Sequence, residues 1–221
     1  MPILARSCLL FAVALCCAAP AAASSGQALL DAIVDRQARR VAILLDQGVS
    51  PEIVSAAGEH AGKTALMWAA ESGQAAIVRL LLEYGAEVDR SNARGGTALM
   101  YAATAGRVEV IRLLVAAGAD ADHRVRHGWT PVLLATVKGH VDAVRVLAAL
   151  GADLDTRDLY GWTLLMHATE RGDRAMVAAL LELGLDPAAG DGNGTTALAL
   201  ARRTGDKALL RLLTEAPRKS Q

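Results

Sequence analysis

Apolar and polar positions follow a helical period along most of the chain. Leu66, Ala69 and Ala70 are spaced i, i+3 and i+4, so they share one face of a helix. A second run, residues 75–84, is apolar on most sides, as expected of a helix that lies between neighbouring elements. Gly73 separates the two runs and can end the first helix in a left-handed conformation. The pattern therefore predicts two short helices joined by a tight turn.

The same helix pair recurs every 33 residues. A threonine, whose hydroxyl can accept a backbone N–H at a helix start, opens each pair: Thr64, Thr97, Thr130, Thr163 and Thr196. A glycine follows each first helix: Gly73, Gly106, Gly139, Gly172 and Gly205. Supersecondary units that recur at such a period bury their apolar faces by stacking on one another.

This repeat resembles the ankyrin repeat, whose signature includes T-P-L-H-x-A at a 33-residue period. The resemblance covers Gln27 to about Glu215, although only Thr130-Pro131 keeps the proline. Other residues hold the histidine position of the signature: Met67, Met100, Leu133, Met166 and Ala199. The resemblance implies an all-α ankyrin-repeat solenoid of stacked helix-turn-helix units with projecting β-turns or hairpins.

The amino terminus has the pattern of a signal peptide. Arg6 precedes an apolar run over residues 9–19, and small residues at Ala21 and Ala23 precede Ser24. The run is shorter than the roughly 20 residues of a transmembrane helix. We therefore expect a signal peptide over residues 1–23, cleavage after Ala23 and no membrane insertion of the mature chain, with an uncleaved anchor or a buried helix as the alternatives. All three cysteines lie in this segment, so the mature chain would hold no disulfide.

The repeat register predicts the remaining boundaries. Arg36 and Arg40 stand where inner repeats have glycine and isoleucine, which is typical of a capping repeat with a polar outer face. The predicted units are an amino-terminal cap with a longer connection (24–61), four inner repeats within 62–190 (about 62–94, 95–127, 128–160 and 161–190), a carboxy-terminal cap (191–215) and a disordered tail (216–221).

Composition and motifs argue against several classes of function. The formal net charge is zero, whereas a nucleic-acid binder normally carries a basic excess. No histidine pair has metal-ligand spacing, and the acidic turns recur at the repeat period, where aspartate serves turns. The phosphate-loop-like stretch over residues 57–64 lacks the strand context of a nucleotide site. We expect no catalytic residue, no metal and no cofactor.

The resemblance also implies where a partner binds, because ankyrin proteins use a concave groove formed by the turn tips and the exposed face of the first helices. Carried over by register, the candidate residues are Arg94, Arg126, His127, Trp129, Lys138, Tyr160, Trp162, Glu170 and Arg171. Trp129 and Trp162 are 33 residues apart and should be neighbours on one strip. The alternative is that these tryptophans only cover the turns.

The predicted function is a non-catalytic protein–protein interaction scaffold outside the cytoplasm, with an unidentified protein partner and a monomeric state. The alanine-rich signal and the excess of arginine over lysine favour a bacterial periplasm, although a secreted protein fits the same signal. The alternative is a dedicated periplasmic inhibitor, immunity protein or chaperone-like protein that protects one enzyme.

Overall fold

The computed structural model describes residues 18–55 and 62–215, with side chains from Ser25 onwards. The described chain folds into twelve helices: α1 (Ala18–Val34), α2 (Ala38–Asp46), α3 (Ala65–Glu71), α4 (Ala75–Glu83), α5 (Ala98–Thr104), α6 (Val108–Ala116), α7 (Pro131–Lys138), α8 (Val141–Ala149), α9 (Leu164–Glu170), α10 (Arg174–Glu182), α11 (Ala197–Thr204) and α12 (Lys207–Glu215). Residues 1–17 of the predicted signal peptide, residues 57–61 of the phosphate-loop-like stretch and the predicted tail at 216–221 lie outside the described residues.

The helices form two layers. The first helix of each pair packs against the first helix of the next, through α1, α3, α5, α7, α9 and α11. The second helices, from α2 to α12, form a parallel row in the same way. This arrangement confirms the all-α solenoid. Within the described ranges, the segments between pairs carry only two isolated β-bridges, Val54 with Thr64 and Gly190 with Thr196, so the projecting segments are turns rather than hairpins of paired strands.

A threonine cap opens each of the five predicted first helices. Its Oγ1 accepts a hydrogen bond from the backbone N–H three residues ahead, at 3.2 to 3.4 Å: from Met67, Met100, Leu133, Met166 and Ala199. Each cap satisfies one of the backbone donors that a helix start leaves without a partner. The residues that stand at the histidine position of the signature thus donate the backbone N–H that each threonine accepts. The prediction that these threonines cap the helix starts is confirmed.

The turn between the two helices of a pair needs a left-handed residue. Gly73 has φ of +72° there, and the other four glycines of this position have φ between +67° and +79°. At the equivalent place in the amino-terminal pair, Arg36 has φ of +58°. A side chain in this conformation carries a steric cost that glycine avoids. The Arg36 guanidinium donates to the Ser72 carbonyl at 3.4 Å, which ties the first pair to the second.

The core lies between the two helix layers and is almost entirely aliphatic. Met67, Met100 and Met166 are buried in it, where their flexible side chains can fill irregular space between the helices. In α1, the buried hydrophobic residues among those described are Leu29, Leu30, Ala32 and Ile33, all after the predicted cleavage position. Among the residues that the structure describes, no helix has both the length and the apolarity needed to cross a bilayer.

Candidate functional site

Three of the projecting turns, those before α5, α9 and α11, are closed in the same way, and this closure positions the residue before the threonine. In the turn before α9, the Asp158 N–H donates to the Trp162 carbonyl at 3.2 Å. Asp158 Oδ1 in turn accepts from the backbone N–H groups of Tyr160 and Trp162, both at 2.9 Å. The turn before α5 repeats the scheme, with Asn92 Oδ1 accepting from Arg94 and Gly96. The tip is therefore a fixed platform beside the exposed side of the first helix.

Trp129 and Trp162 meet at a third ring, that of His167. The Trp129 and His167 ring centroids are 6.1 Å apart, and those of Trp162 and His167 are 5.3 Å apart. Both pairs are tilted, at 56° and 57°, an arrangement that aromatic rings favour over a flat sandwich. The two tryptophans thus belong to one continuous aromatic surface on neighbouring repeats, with His167 of α9 between them.

His167 is held in a defined protonation state by its surroundings. Its Nε2 lies 3.1 Å from Asp158 Oδ2, and because a carboxylate only accepts, Nε2 carries the hydrogen. Burial lowers the pKa of His167 below its ordinary value, and the neighbouring Asp158 carboxylate opposes that shift only in part. At neutral pH the ring is therefore an uncharged spacer between the two indoles.

A second group of the same geometry lies at the other end of the inner repeats. Lys63 Nζ sits 5.0 Å from the Trp68 ring centroid and 4.5 Å from that of Tyr101, within the range of cation–π attraction. The same ammonium is 2.5 Å from Glu71 Oε2. Burial first, and then Glu71, raise the pKa of Tyr101, whose hydroxyl accepts from Asn92 Nδ2 at 2.8 Å.

These contacts define one rule for the surface formed by the turn tips and the exposed sides of α3, α5, α7, α9 and α11, here named the tip-side face. In the contacts observed, the residue before a threonine lies beside the fourth residue after a threonine, in its own repeat, in the next repeat or in both. Lys63 contacts Trp68 and Tyr101 in this way, and His167 receives Trp162 from its own repeat and Trp129 from the preceding one.

One position in this row carries no side chain. Gly96 precedes Thr97, and beside it is a cavity of about 240 Å³. Tyr101 and Leu134, which the rule places on either side of residue 96, both line the cavity. The cavity is therefore present because a glycine stands at a repeat position where the neighbouring repeats carry a large side chain.

The remaining predicted residues surround the aromatic rings. Tyr160 is 76% exposed and Leu159, beside it on the same tip, is 66% exposed. The Leu159 N–H donates to the His127 carbonyl at 3.0 Å, which joins neighbouring tips. Glu170 forms an ion pair with Arg203 at 2.8 Å. Four exposed cations of the face make no ion pair with any described residue: Arg94, Arg126, Lys138 and Arg171.

Sequence reasoning assigned the tryptophans but not the residues that hold them. His167, Lys63 and Tyr101 were not among the nine candidate residues. All three were detectable in principle, because each stands at a register position, one before or four after the threonine. What the sequence lacked was the rule that these two positions touch across neighbouring repeats.

The acidic turns have a structural role in the stack. The Asp89 carboxylate accepts from the Asp120 N–H at 3.1 Å, and Asp122 Oδ1 accepts from the Asp153 N–H at 2.8 Å. Each aspartate thereby fixes the turn of the next repeat. Over the described ranges, no three potential ligand residues form a group that could hold a metal ion.

Comparison with known families agrees with this geometry. The family model for ankyrin repeats, which spans three copies, matches the chain in four overlapping segments: residues 13–92, 86–158, 118–191 and 151–220. Together these matches extend from the first helix pair to the last.

Proposed function

This chain belongs to the ankyrin-repeat family, and from that premise we propose that it is a protein-binding scaffold that works outside the cytoplasm and holds its partner on the tip-side face. Ankyrin-repeat proteins are typically non-catalytic interaction modules. The proposal goes further in naming the face, the residues and the compartment.

The observation that carries the proposal is the aromatic surface of Trp129, His167 and Trp162, continued by the exposed Tyr160. Tryptophan, tyrosine and arginine provide much of the binding energy at protein interfaces. Here the rings are held in place before any partner arrives, since Asp158 bonds both the tip backbone and His167. Rings that are already ordered lose little conformational entropy on binding.

The charges of the face support the same proposal. Arg126, Lys138 and Arg171 are exposed and make no ion pair with another described residue. Such charges at the edge of an interface increase the rate of encounter and set orientation more than they increase affinity. They would therefore orient a partner over the tryptophans.

The proposed location outside the cytoplasm rests on the amino-terminal pattern of Arg6, the apolar run over 9–19 and the small residues before Ser24. The lack of cysteine after Cys17 is consistent with a mature chain that depends on burial for its stability. A periplasmic or secreted protein partner follows from that location.

The test is affinity capture from an extract of the source cells, followed by binding measurements with the captured protein. We expect Trp129→Ala combined with Trp162→Ala to weaken binding by at least about 2 kcal/mol, the scale of interface hot spots. Both tryptophans also contact His167, so circular dichroism must show that the variant remains helical. Tyr160→Ala, which alters an exposed ring, should weaken binding with no change in folding.

The matched control is Ile43→Ala, an exposed apolar residue of α2 in the opposite helix layer, and its binding should equal that of the wild type. If the tip variants bind normally while folded, the tip-side face is not the binding site. If a single protein dominates the capture, the partner is a dedicated one, as expected of an inhibitor, immunity protein or chaperone-like protein.

A further inference from the structure

We propose that the cavity beside Gly96 is a socket for one large apolar side chain of the partner, and that this side chain is carried by an acidic segment. The inference rests on the proposed function, because it specifies what the tip-side face would hold. It depends on three features of the structure: the register of the row, the lining of the cavity and the distribution of paired and unpaired charges.

The register shows that the socket has the dimensions of a large side chain. In the repeats on either side, the residue before the threonine is Lys63 or Trp129, and each fills the space beside the fourth residue of the helices. Gly96 leaves the equivalent space open between Tyr101 and Leu134. A partner side chain that enters this space would take the place that the protein's own side chains take in the neighbouring repeats.

The lining selects for an apolar occupant. Two other turns place a polar residue opposite a polar residue of the helix, Asn92 with Tyr101 and Asp158 with His167. In the intervening repeat the same two positions are Val125 and Leu134, and both line the cavity together with Met100. Burial of an apolar side chain against such a surface is favourable, whereas a polar group would lose its hydrogen bonds to water there.

A cationic occupant is disfavoured by a charge that is already present. Tyr101 and Glu71 line the cavity and would attract a cation, but Lys63 Nζ already lies 4.5 Å from the Tyr101 ring and 2.5 Å from Glu71. A second ammonium or guanidinium group would be repelled by the first. The socket beside Gly96 therefore differs from the equivalent space one repeat earlier, which the protein's own Lys63 occupies.

The charges around the socket favour an acidic segment. The two glutamates of this part of the face are each paired, Glu71 with Lys63 and Glu170 with Arg203. Arg94, which lines the cavity, makes no ion pair within the described chain, and the same holds for Arg126, Lys138 and Arg171. Among the glutamates and cations just named, the charges without an ion-pair partner are therefore all positive, although the whole chain has a formal net charge of zero. Asp and Glu residues on either side of an apolar anchor would complement it.

The decisive variant is Gly96→Trp, which fills the socket with the residue found at positions 129 and 162. A Cβ at residue 96 would have its nearest contacts at 3.6 Å, and the backbone of Gly96 is not left-handed, so the site can accept a side chain. The matched control is Ile43→Trp, which adds the same ring at an exposed position of α2 in the opposite helix layer, away from the cavity and from the tip-side face.

The probe is a phage-displayed library of random peptides of about a dozen residues, selected on the purified wild-type protein and then titrated as labelled synthetic peptides. We expect enriched peptides to be rich in Asp and Glu around at least one Leu, Ile, Phe or Trp. Gly96→Trp should raise the Kd of such a peptide about tenfold or more, Ile43→Trp should leave it unchanged, and added salt should weaken binding. Enrichment of basic peptides, of peptides without a large apolar residue, or of none at all would overturn the proposal.

A second variant protects the test from a folding defect at position 96. Val125→Asp with Leu134→His introduces into the socket the polar pair that Asp158 and His167 form one repeat further on, and it should weaken the same peptide. If Trp129→Ala with Trp162→Ala abolishes peptide binding while both socket variants bind normally, the socket is wrong and the tip-side face stands. If neither set of variants affects binding, the proposed function itself fails.

Discussion

At the residue scale, single side chains connect the projecting turns to the helices. Asp158 uses one carboxylate oxygen to close its turn and the other to hold His167. Asn92 does the same with its amide, since its oxygen closes the turn and its nitrogen donates to the Tyr101 hydroxyl. Where Val125 takes this place, the polar link is lost and an apolar cavity opens beside it. The identity of one turn residue thus decides the chemistry of the adjoining surface.

The buried state of His167 predicts a pH dependence of stability. Burial lowers the pKa of His167 from its ordinary 6.5, so between the two values the unfolded chain binds more protons than the folded chain. Stability contributed by neutral His167 is therefore present above pH 6.5 and is lost as the pH falls through 6.5 towards the lowered pKa. Urea unfolding at a series of pH values should show this loss in the wild type.

The comparison variant is His167→Leu, which introduces the residue found at the equivalent position 134. It leaves Asp158 Oδ2 without its partner, so its absolute stability should fall, but its stability should change less with pH across the same interval. Parallel pH profiles for the two proteins would show that His167 does not titrate differently on folding.

At the element scale, the helices are so short that their ends largely determine their stability. The first helices of the inner repeats contain only seven or eight residues, and an isolated helix of that length is unstable in water. Threonine caps satisfy donors at one end, and left-handed glycines allow the chain to turn at the other. The amino-terminal pair departs from this scheme, because Arg36 takes the left-handed position in place of glycine.

Arg36→Gly should therefore stabilise the protein. The substitution removes the steric cost of a Cβ at φ of +58°, partly offset by the greater freedom of glycine in the unfolded chain. We expect a gain of about 0.5–1 kcal/mol in the free energy of unfolding, measured by urea denaturation. Arg36→Ala separates the causes, because it keeps a Cβ in the strained conformation and removes only the bond to Ser72. A gain of the same size in the alanine variant would contradict the backbone explanation.

At the scale of the whole molecule, the binding surface is produced by stacking. Each part of the tip-side face is formed by two neighbouring repeats: Trp129 meets His167 of the next repeat, and Lys63 meets Tyr101 of the next repeat. A single repeat presents neither the aromatic row nor the socket. A solenoid of this kind is stabilised by contacts between neighbours, so its face is continuous as long as each interface is intact.

The proposed export also belongs to this scale, since it concerns which part of the chain the folded molecule keeps. Helix α1 spans the predicted cleavage position, and the buried hydrophobic residues among those described in it, from Leu29 to Ile33, follow that position. We expect protein recovered from outside the cytoplasm to begin at Ser24 on amino-terminal sequencing. Ala21→Arg with Ala23→Arg, which removes the small residues ahead of the cleavage site, should leave the precursor uncleaved. Recovery of chains that begin before Ala19 would rule out this site.

The sequence by itself determined the repeat. The helix period, the threonine caps and the left-handed glycines all act within about four residues of one another, so a single repeat displays them and recurrence at 33 residues makes them evident. The aliphatic composition of the core and the position of each helix pair follow from the same local pattern. For this reason the all-α solenoid could be predicted, and of the two expected forms of the projecting segments, β-turns or hairpins, the described residues adopt turns.

Only the tertiary structure decided which side chains meet across repeats. The placement of His167 between Trp129 and Trp162, the contact of Lys63 with Tyr101 and the cavity beside Gly96 depend on the offset between adjacent repeats. That offset comes from the packing of one repeat on the next, which involves residues about 33 positions apart and leaves no local pattern in the chain. The sequence therefore predicted that Trp129 and Trp162 lie on the tip-side face. Their common contact with His167 and the socket beside Gly96 arise only when the repeats stack.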